Sequence, residues 1–243
     1  MLGKQKVKYI QSLGQKKFRE QEGSFIAEGP KIVLELLGSA KKNIRQVYAV
    51  KEWIEENNSI LENIEAIEIE SFELDKISQL ATPHKVLAIV KQFEIPKDII
   101  TSKKITLALD TIQDPGNLGT IIRIADWFSI DQIVCSNNCA DVYNSKVVQS
   151  TMGSIARVKV FYTELEEWLE KQKVRIYAAT LEGKDISTIK KLDEGIIVIG
   201  NESKGISSEI LSRVNVKISI PQKGRAESLN AAVATGIILS HII

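Results

Sequence analysis

The 243 residues carry 32 basic and 31 acidic side chains, so the chain is close to neutral and charge alone points to no polyanionic partner. Its 44% hydrophobic content is enough for a proper core in one large domain or two modest ones. Two cysteines, with both histidines remote from them, cannot make a disulfide framework or a structural zinc site. No apolar run approaches the roughly 18 residues of a membrane span and no secretory leader pattern opens the chain, so a soluble, cytoplasmic, metal-free protein is expected.

Residues 4–21 are polar with Val7, Ile10, Leu13 and Phe18 at helical spacing, which predicts one surface helix. Between Met1 and Lys31 seven basic residues face three acidic ones, a pattern that suits phosphate contact and equally a solvated helix face. Gly23–Pro30 reads as a short strand and turn, and Pro30 can start a helix over Lys31–Leu37 because its missing N–H is harmless there. Strands are predicted at Gln46–Val50, Ala66–Ile69 and Val86–Phe93, with helical pieces at Glu52–Asn57 and Ser71–Gln79. Glu94–Lys104, containing Pro96, is the linker candidate.

From Ile105 onward strand and helix alternate. Strands are expected at Ile105–Asp110, Gln132–Val134, Val158–Phe161, Val174–Thr180, Gly195–Gly200 and Val216–Pro221, with a charged surface helix at Glu164–Gln172. Strands that feed helices imply a parallel sheet, whose ligands bind outside the strand C-terminal ends. Three of these strands run into Gly- or Asn-rich loops: Gln113–Gly119, Asn201–Gly205 and Gln222–Glu227. A backbone-lined cleft is expected there, with Asn117, Arg123, Glu202, Ser228 and Asn230 as its polar groups.

Each block has a plain reading beside the functional one. Asn117 can cap a helix starting at Leu118. Arg123 can pair with Asp126 at i,i+3, or, with Gly119 one turn before it, can face space left open to a ligand. Gly200–Ser207 resembles a phosphate loop but places Ile206 where Lys is required, and G-x-G-x-x-G is absent, so nucleoside triphosphates and dinucleotides are disfavoured. Ser207 or Ser208 can cap the helix that follows. Glu202 stands out as a carboxylate just past a wholly apolar strand. Ser228–Ser240 reads as a helix rich in small residues. Without G-x-S-x-G or a nearby histidine, neither Ser228 nor Asn230 is a hydrolytic nucleophile.

Together the three blocks closely resemble the motifs of the SpoU (TrmH) family of RNA ribose 2′-O-methyltransferases, in the SPOUT superfamily, over about residues 105–243. Lys17-Phe18-Arg19 and Gly23–Gly29 resemble part of the substrate-binding domain that often precedes it, an α/β unit similar to the ribosomal L30e-like fold. The resemblance implies an L30e-like domain over residues 1–97 and a parallel-sheet domain over 105–243 with a deep trefoil knot. It further implies a homodimer, and S-adenosylmethionine (AdoMet) bound mostly by backbone groups. The matching cofactor positions are Thr180, Leu181, Gly200, Asn201, Glu202, Gly205, Ile220, Gln222, Ser228, Leu229 and Asn230.

The same resemblance gives methyl transfer to a ribose 2′-OH, with Arg123 central and Asn117, Glu202, Ser228 and Asn230 around it. Since a guanidinium is rarely deprotonated, Arg123 would orient the hydroxyl or its phosphate and stabilise the developing alkoxide rather than act as a base. Lys16, Lys17, Arg19 and Lys31 would dock the RNA. The L30e-like unit favours ribosomal RNA, 23S in particular, over transfer RNA; a tRNA enzyme and an inactive RNA-binding member are the alternatives. Ile124, Ser129, Gln222 and Ala232 stand where family members often carry Thr, Gly, Met and Ser.

Overall fold

A computed structural model describes residues 1–243. In chain order the elements are α1 (Lys4–Ser12), α2 (Lys16–Glu22), β1 (Ser24–Glu28), α3 (Pro30–Ser39), β2 (Ile44–Ala49), α4 (Lys51–Glu56), β3 (Ala66–Glu68), α5 (Ser71–Ile77) and β4 (Val86–Lys91). There follow β5 (Ile105–Leu109), α6 (Pro115–Trp127), β6 (Gln132–Ser136), α7 (Ser145–Thr151), β7 (Lys159–Thr163), α8 (Leu165–Glu170), β8 (Ile176–Asp185), β9 (Gly195–Ile199), α9 (Ser208–Leu211), β10 (Val216–Ser219) and α10 (Ala231–Ile242). No helix is long and apolar enough to cross a membrane, and no group of three or more potential ligands gathers to hold a metal.

The chain divides into two compact units. One comprises Met1–Glu94 with Asp141–Ala156, and the other Ile95–Ala140 with Arg157–Ile243. The first unit is built on a sheet in the order β1-β4-β2-β3, antiparallel except for the parallel pair β2–β3. Its core joins Ile10 and Leu13 of the N-terminal segment to Tyr48, Leu74, Ile77 and Leu87. The single helix expected over residues 4–21 is broken in two around Gly14. Pro30 opens α3 at its first turn as anticipated.

Arg19 requires a correction. Expected to face RNA, it is only 3% exposed. Its guanidinium donates to the Leu13 and Gly14 carbonyls at 3.0 and 2.8 Å and to Asp141 Oδ2 at 2.5 Å. A buried cation must be paired and hydrogen-bonded, and Arg19 has found its partners within its own unit. Lys16, Lys17 and Lys31 are exposed, Lys16 lying 3.7 Å from Glu20 in an i,i+4 pair.

In the second unit all six strands are parallel, in the order β10-β8-β9-β5-β6-β7. β5, β6 and β9 are buried along their whole length, as a sheet covered on both faces requires. Leu165 and Leu169 of α8 and Ile210 of α9 pack with Ala108, Val134, Ala178 and Val198 on one face. α6 packs against α10, with Ile124 beneath Gly236. β5 leads toward β6 while its neighbour β9 leads outward past β8 to β10. The chain therefore reverses direction between β5 and β9, where ligands of open α/β sheets bind beyond the strand C-terminal ends.

Candidate active site

β5 ends at that reversal, followed directly by Asp110, which is 5% exposed. Its carboxylate accepts from the Ser207 N–H at 2.8 Å and from Thr111 Oγ1 at 2.9 Å, tying the end of β5 to the segment after β9. Thr111 has φ +58, a left-handed conformation that a β-branched residue adopts only when its surroundings impose it. Those surroundings are the Ser136 hydroxyl, which accepts from the Thr111 N–H at 2.9 Å, and Asn201 Nδ2, which donates to the Thr111 carbonyl at 3.0 Å. Cys139 supports the same corner: its sulfur accepts from the Ile112 N–H and donates to the Leu109 carbonyl, both at 3.3 Å. A hydrogen bond from Cys135, with further ones from Ser136 and the backbone, lowers the Cys139 thiol to about 7, while burial pushes Cys135 well up.

α6 starts earlier than expected. Asp114, not Asn117, is its cap: the Asp114 carboxylate accepts from the Asn117 N–H at 2.8 Å, and Pro115 fills the first helical position. Asn117 thus keeps its side chain for tertiary contacts. Its Nδ2 donates to Glu202 Oε1, and its Oδ1 accepts from Asn230 Nδ2 at 2.8 Å. The Oδ1 of Asn230 caps α10, accepting from the Ala232 and Val233 N–H groups at 3.0 and 3.2 Å. One chain of hydrogen bonds therefore joins all three motif blocks. It runs from the half-buried Glu202 through Asn117 to Asn230 and the start of the last helix.

Arg123 lies further along α6, exposed and without a hydrogen bond or ion pair. The expected Arg123–Asp126 pair does not form. Arg157 holds Asp126 instead, with Nε 3.0 Å from both carboxylate oxygens and Nη2 2.7 Å from Oδ2. A planar fork matched to a carboxylate outcompetes a single i,i+3 contact. The Arg123 guanidinium therefore has no partner within the chain.

The loop after β9 is a closed turn. Asn201 and Gly205 exchange two backbone hydrogen bonds of 3.0 and 2.9 Å, and Asn201 Oδ1 accepts from the Ser203 and Lys204 N–H groups at 2.9 and 3.1 Å. A Cβ on Gly200 would lie 2.4 Å from the Gly205 carbonyl carbon, so Gly200 is required by the chain's own crossing. Gly205, at φ +70, completes the turn.

The two remaining loops lie at the ends of neighbouring strands. β8 bulges between Ala178 and Lys184 in its pairing with β10. Within that bulge Thr180 Oγ1 donates to the Glu182 carbonyl at 2.7 Å, and Leu181 is 74% exposed. After β10, Ile220 is half-buried and residues 221–230 are all exposed. Gln222 Nε2 closes that loop on itself, donating to the Gly224 and Ala226 carbonyls at 3.1 and 2.8 Å. Ser228 makes no side-chain hydrogen bond, and Leu229 is 45% exposed. The bulge and the loops after β9 and β10 thus border one edge of three adjacent strands.

Sequence reasoning missed Asp110, Thr111, Ser136 and Cys139. Asp110 carries the signal that singled out Glu202, a carboxylate ending an apolar strand. For Thr111 and Cys139 no local pattern announces the role, because it depends on the pairing of β5 with β6.

Comparison with known proteins agrees with this arrangement. Residues 104–240 match the model of the SpoU rRNA methylase family, and residues 4–88 match the MRM3-like substrate binding domain. The chain is 29% identical, over 98% of its length and 96% of the relative's, to the 23S rRNA (guanosine(2553)-2′-O)-methyltransferase RlmP of Bacillus subtilis. It superposes on the AdoMet-bound rRNA methyltransferase of Sinorhizobium meliloti with TM-score 0.86 and 31% identity, covering 99% of this chain and 95% of that one. A TrmH-family candidate RNA methyltransferase structure from Porphyromonas gingivalis gives TM-score 0.85 and 33% identity, covering 99% and 98%.

Proposed function

Because the chain belongs to the SpoU rRNA methylase family, we propose that it transfers the methyl group of AdoMet to a ribose 2′-hydroxyl of RNA, with ribosomal RNA as the substrate class. The observation that supports this reading is that α6 carries both Arg123, which has no hydrogen bond or ion pair within the chain, and Asn117, which joins Glu202 to Asn230.

The residues fit a backbone-rich grip on the methyl donor. The strand-end loops offer main-chain groups, the apolar side chains of Leu181 and Leu229, and a single half-buried carboxylate, Glu202. AdoMet, when bound, supplies a methyl group already electrophilic on its sulfonium. Transfer to the ribose oxygen would leave the electron pair of the broken carbon–sulfur bond on the departing thioether, and the hydroxyl proton would pass to the adjoining substrate phosphate or to solvent. Arg123 orients the hydroxyl or its adjoining phosphate and stabilises negative charge on the oxygen. Asn117 and Asn230 fix the start of α6 against the start of α10. Thr180, Gly200–Glu202, Gly205, Ile220, Gln222 and Ser228–Asn230 shape the donor pocket, and the knotted passage implied by the family belongs to this same reading.

RNA docking is assigned to residues 1–97 and catalysis to 105–243. In the first, exposed Lys16, Lys17 and Lys31 contact phosphates; such contacts position the substrate rather than read bases. A homodimer and a cytoplasmic location complete the proposal. Exposed Trp127 (85%) on α6 and Val233 (51%) on α10 supply apolar surface for self-association, and light scattering at 27.1 kDa for the active species would contradict the dimer. The test of the activity is methyl transfer from labelled AdoMet to rRNA transcripts, with the product located by resistance of the 2′-O-methylated linkage to alkali. Absence of transfer to rRNA, with transfer to tRNA instead, would overturn the substrate class.

A further inference from the structure

The second unit holds a groove of ≈600 Å³ that no step of the reaction uses. It opens where β8 and β10 begin, at Ile176 and Val216, and so at the opposite edge of the sheet from the motif loops. Four cations line it, Lys173, Arg175, Lys184 and Arg213, against one carboxylate, Glu170. Arg213 is internally committed: its Nη groups reach Glu166 and Glu170, each at 3.1 Å. Its Nε is shielded from solvent and has no acceptor. The side chains of Lys173, Arg175 and Lys184 form no hydrogen bond or ion pair. Asn215 uses only its Oδ1, accepting from the Ile176 N–H at 2.8 Å, which leaves its amide donors free beside them.

Like charges converging on one concavity repel one another, and a buried N–H without an acceptor is unfavourable. The repulsion is relieved by an anion rich in acceptor oxygens. An open groove lined by several separate cations suits a chain of phosphates better than a single compact anion, and lysine and arginine together are the usual phosphate ligands. We propose that this groove binds the phosphodiester backbone of the RNA substrate, away from the site of methyl transfer. The proposal rests on RNA being the substrate. Such a second contact lengthens the footprint of the enzyme on a large folded RNA without reading its sequence.

The test is RNA binding without AdoMet or turnover, so its readout stands apart from that of the methyl-transfer reading. The triple variant Lys173→Gln, Arg175→Gln, Lys184→Gln leaves the Arg213 ion pairs intact. Binding of an rRNA fragment should weaken at least ~10-fold at 0.1 M salt, and the slope of log affinity against log salt should flatten by about 2. AdoMet affinity and thermal unfolding should match the wild type, which excludes misfolding as the cause. In a second arm, inorganic phosphate is added at constant ionic strength. Phosphate that stabilises only the wild type, with RNA binding equal in the two proteins, would assign the groove to a free anion and overturn the RNA assignment. Equal RNA affinity and equal salt slope with no phosphate effect would overturn the site altogether.

Discussion

Asn230 Nδ2 donates a 2.8 Å hydrogen bond to Asn117 Oδ1, joining residues 113 positions apart at the starts of α10 and α6. The same Asn230 side chain caps α10 through its oxygen, so one residue serves a helix end and a tertiary link at once. The two roles separate by substitution. Asn230→Asp keeps the capping oxygen and loses the amide donor, whereas Asn230→Ala loses both. Calorimetry should show the Ala variant destabilised by about 0.5–2 kcal/mol relative to Asp, the range for a lost N-cap. Methyl transfer should fall in both, and wild-type transfer by Asn230→Asp would show that the link to Asn117 is idle.

Gly200 is held by a backbone crossing. The Cβ of Gly200→Ala would meet the carbonyl of Gly205 and the nitrogen of Ile206 at 2.5 Å. The turn must open or shift, at about 1–3 kcal/mol, the scale of overpacking. Denaturant titration should show that loss without AdoMet present. A fully stable Gly200→Ala protein that fails only in AdoMet binding would instead place the ligand, not Gly205, against that hydrogen.

Arg19 and Lys17 are two residues apart and should behave oppositely. Asp141→Ala removes the carboxylate facing the buried Arg19 guanidinium and should destabilise by about 3–5 kcal/mol, the range for a broken buried pair. Lys17→Ala should change stability by less than ~0.5 kcal/mol, as surface substitutions do, and should lower RNA affinity with a shallower salt dependence. Equal RNA binding by wild type and Lys17→Ala would remove Lys17 from the interface.

The corner at Thr111 has a chemical reporter. The Cys139 thiol ionises at about 7, and the thiolate is the reactive form, so alkylation of Cys139 should rise with pH through about 7 and level off above it. Cys135, buried and pushed up, should stay unreactive until the protein unfolds. Mass spectrometry after timed alkylation distinguishes the two sulfurs. A rate still climbing at pH 9, or equal labelling of both, would contradict the hydrogen-bonded Cys139.

Much of this architecture was legible because its signals are local. Apolar runs such as Ile105–Leu109 and Gly195–Ile199 announce buried parallel strands, and the polar residues just beyond them mark the site. The start of α6 was misplaced although Asp114-Pro115 carries a cap and a first-turn proline, because Asn117 offered a second plausible cap. α7 went unread: its seven residues, Ser145–Thr151, are mostly Ser, Thr and Val, which carry little helical preference. Long-range pairing was invisible. Nothing near Arg19 announces Asp141, 122 residues away, and Asp126 is taken by Arg157, 31 residues on, rather than by its neighbour in the helix.

The most direct measurement is single-turnover methyl transfer to rRNA at saturating AdoMet by Arg123→Ala. In the proposed mechanism Arg123 acts on the reacting hydroxyl and not on the methyl donor, so the rate should fall by at least ~10²-fold with AdoMet affinity unchanged. Arg123→Lys should recover little of it, since a point charge cannot replace a planar fork. A near-wild-type rate in Arg123→Ala would contradict the account.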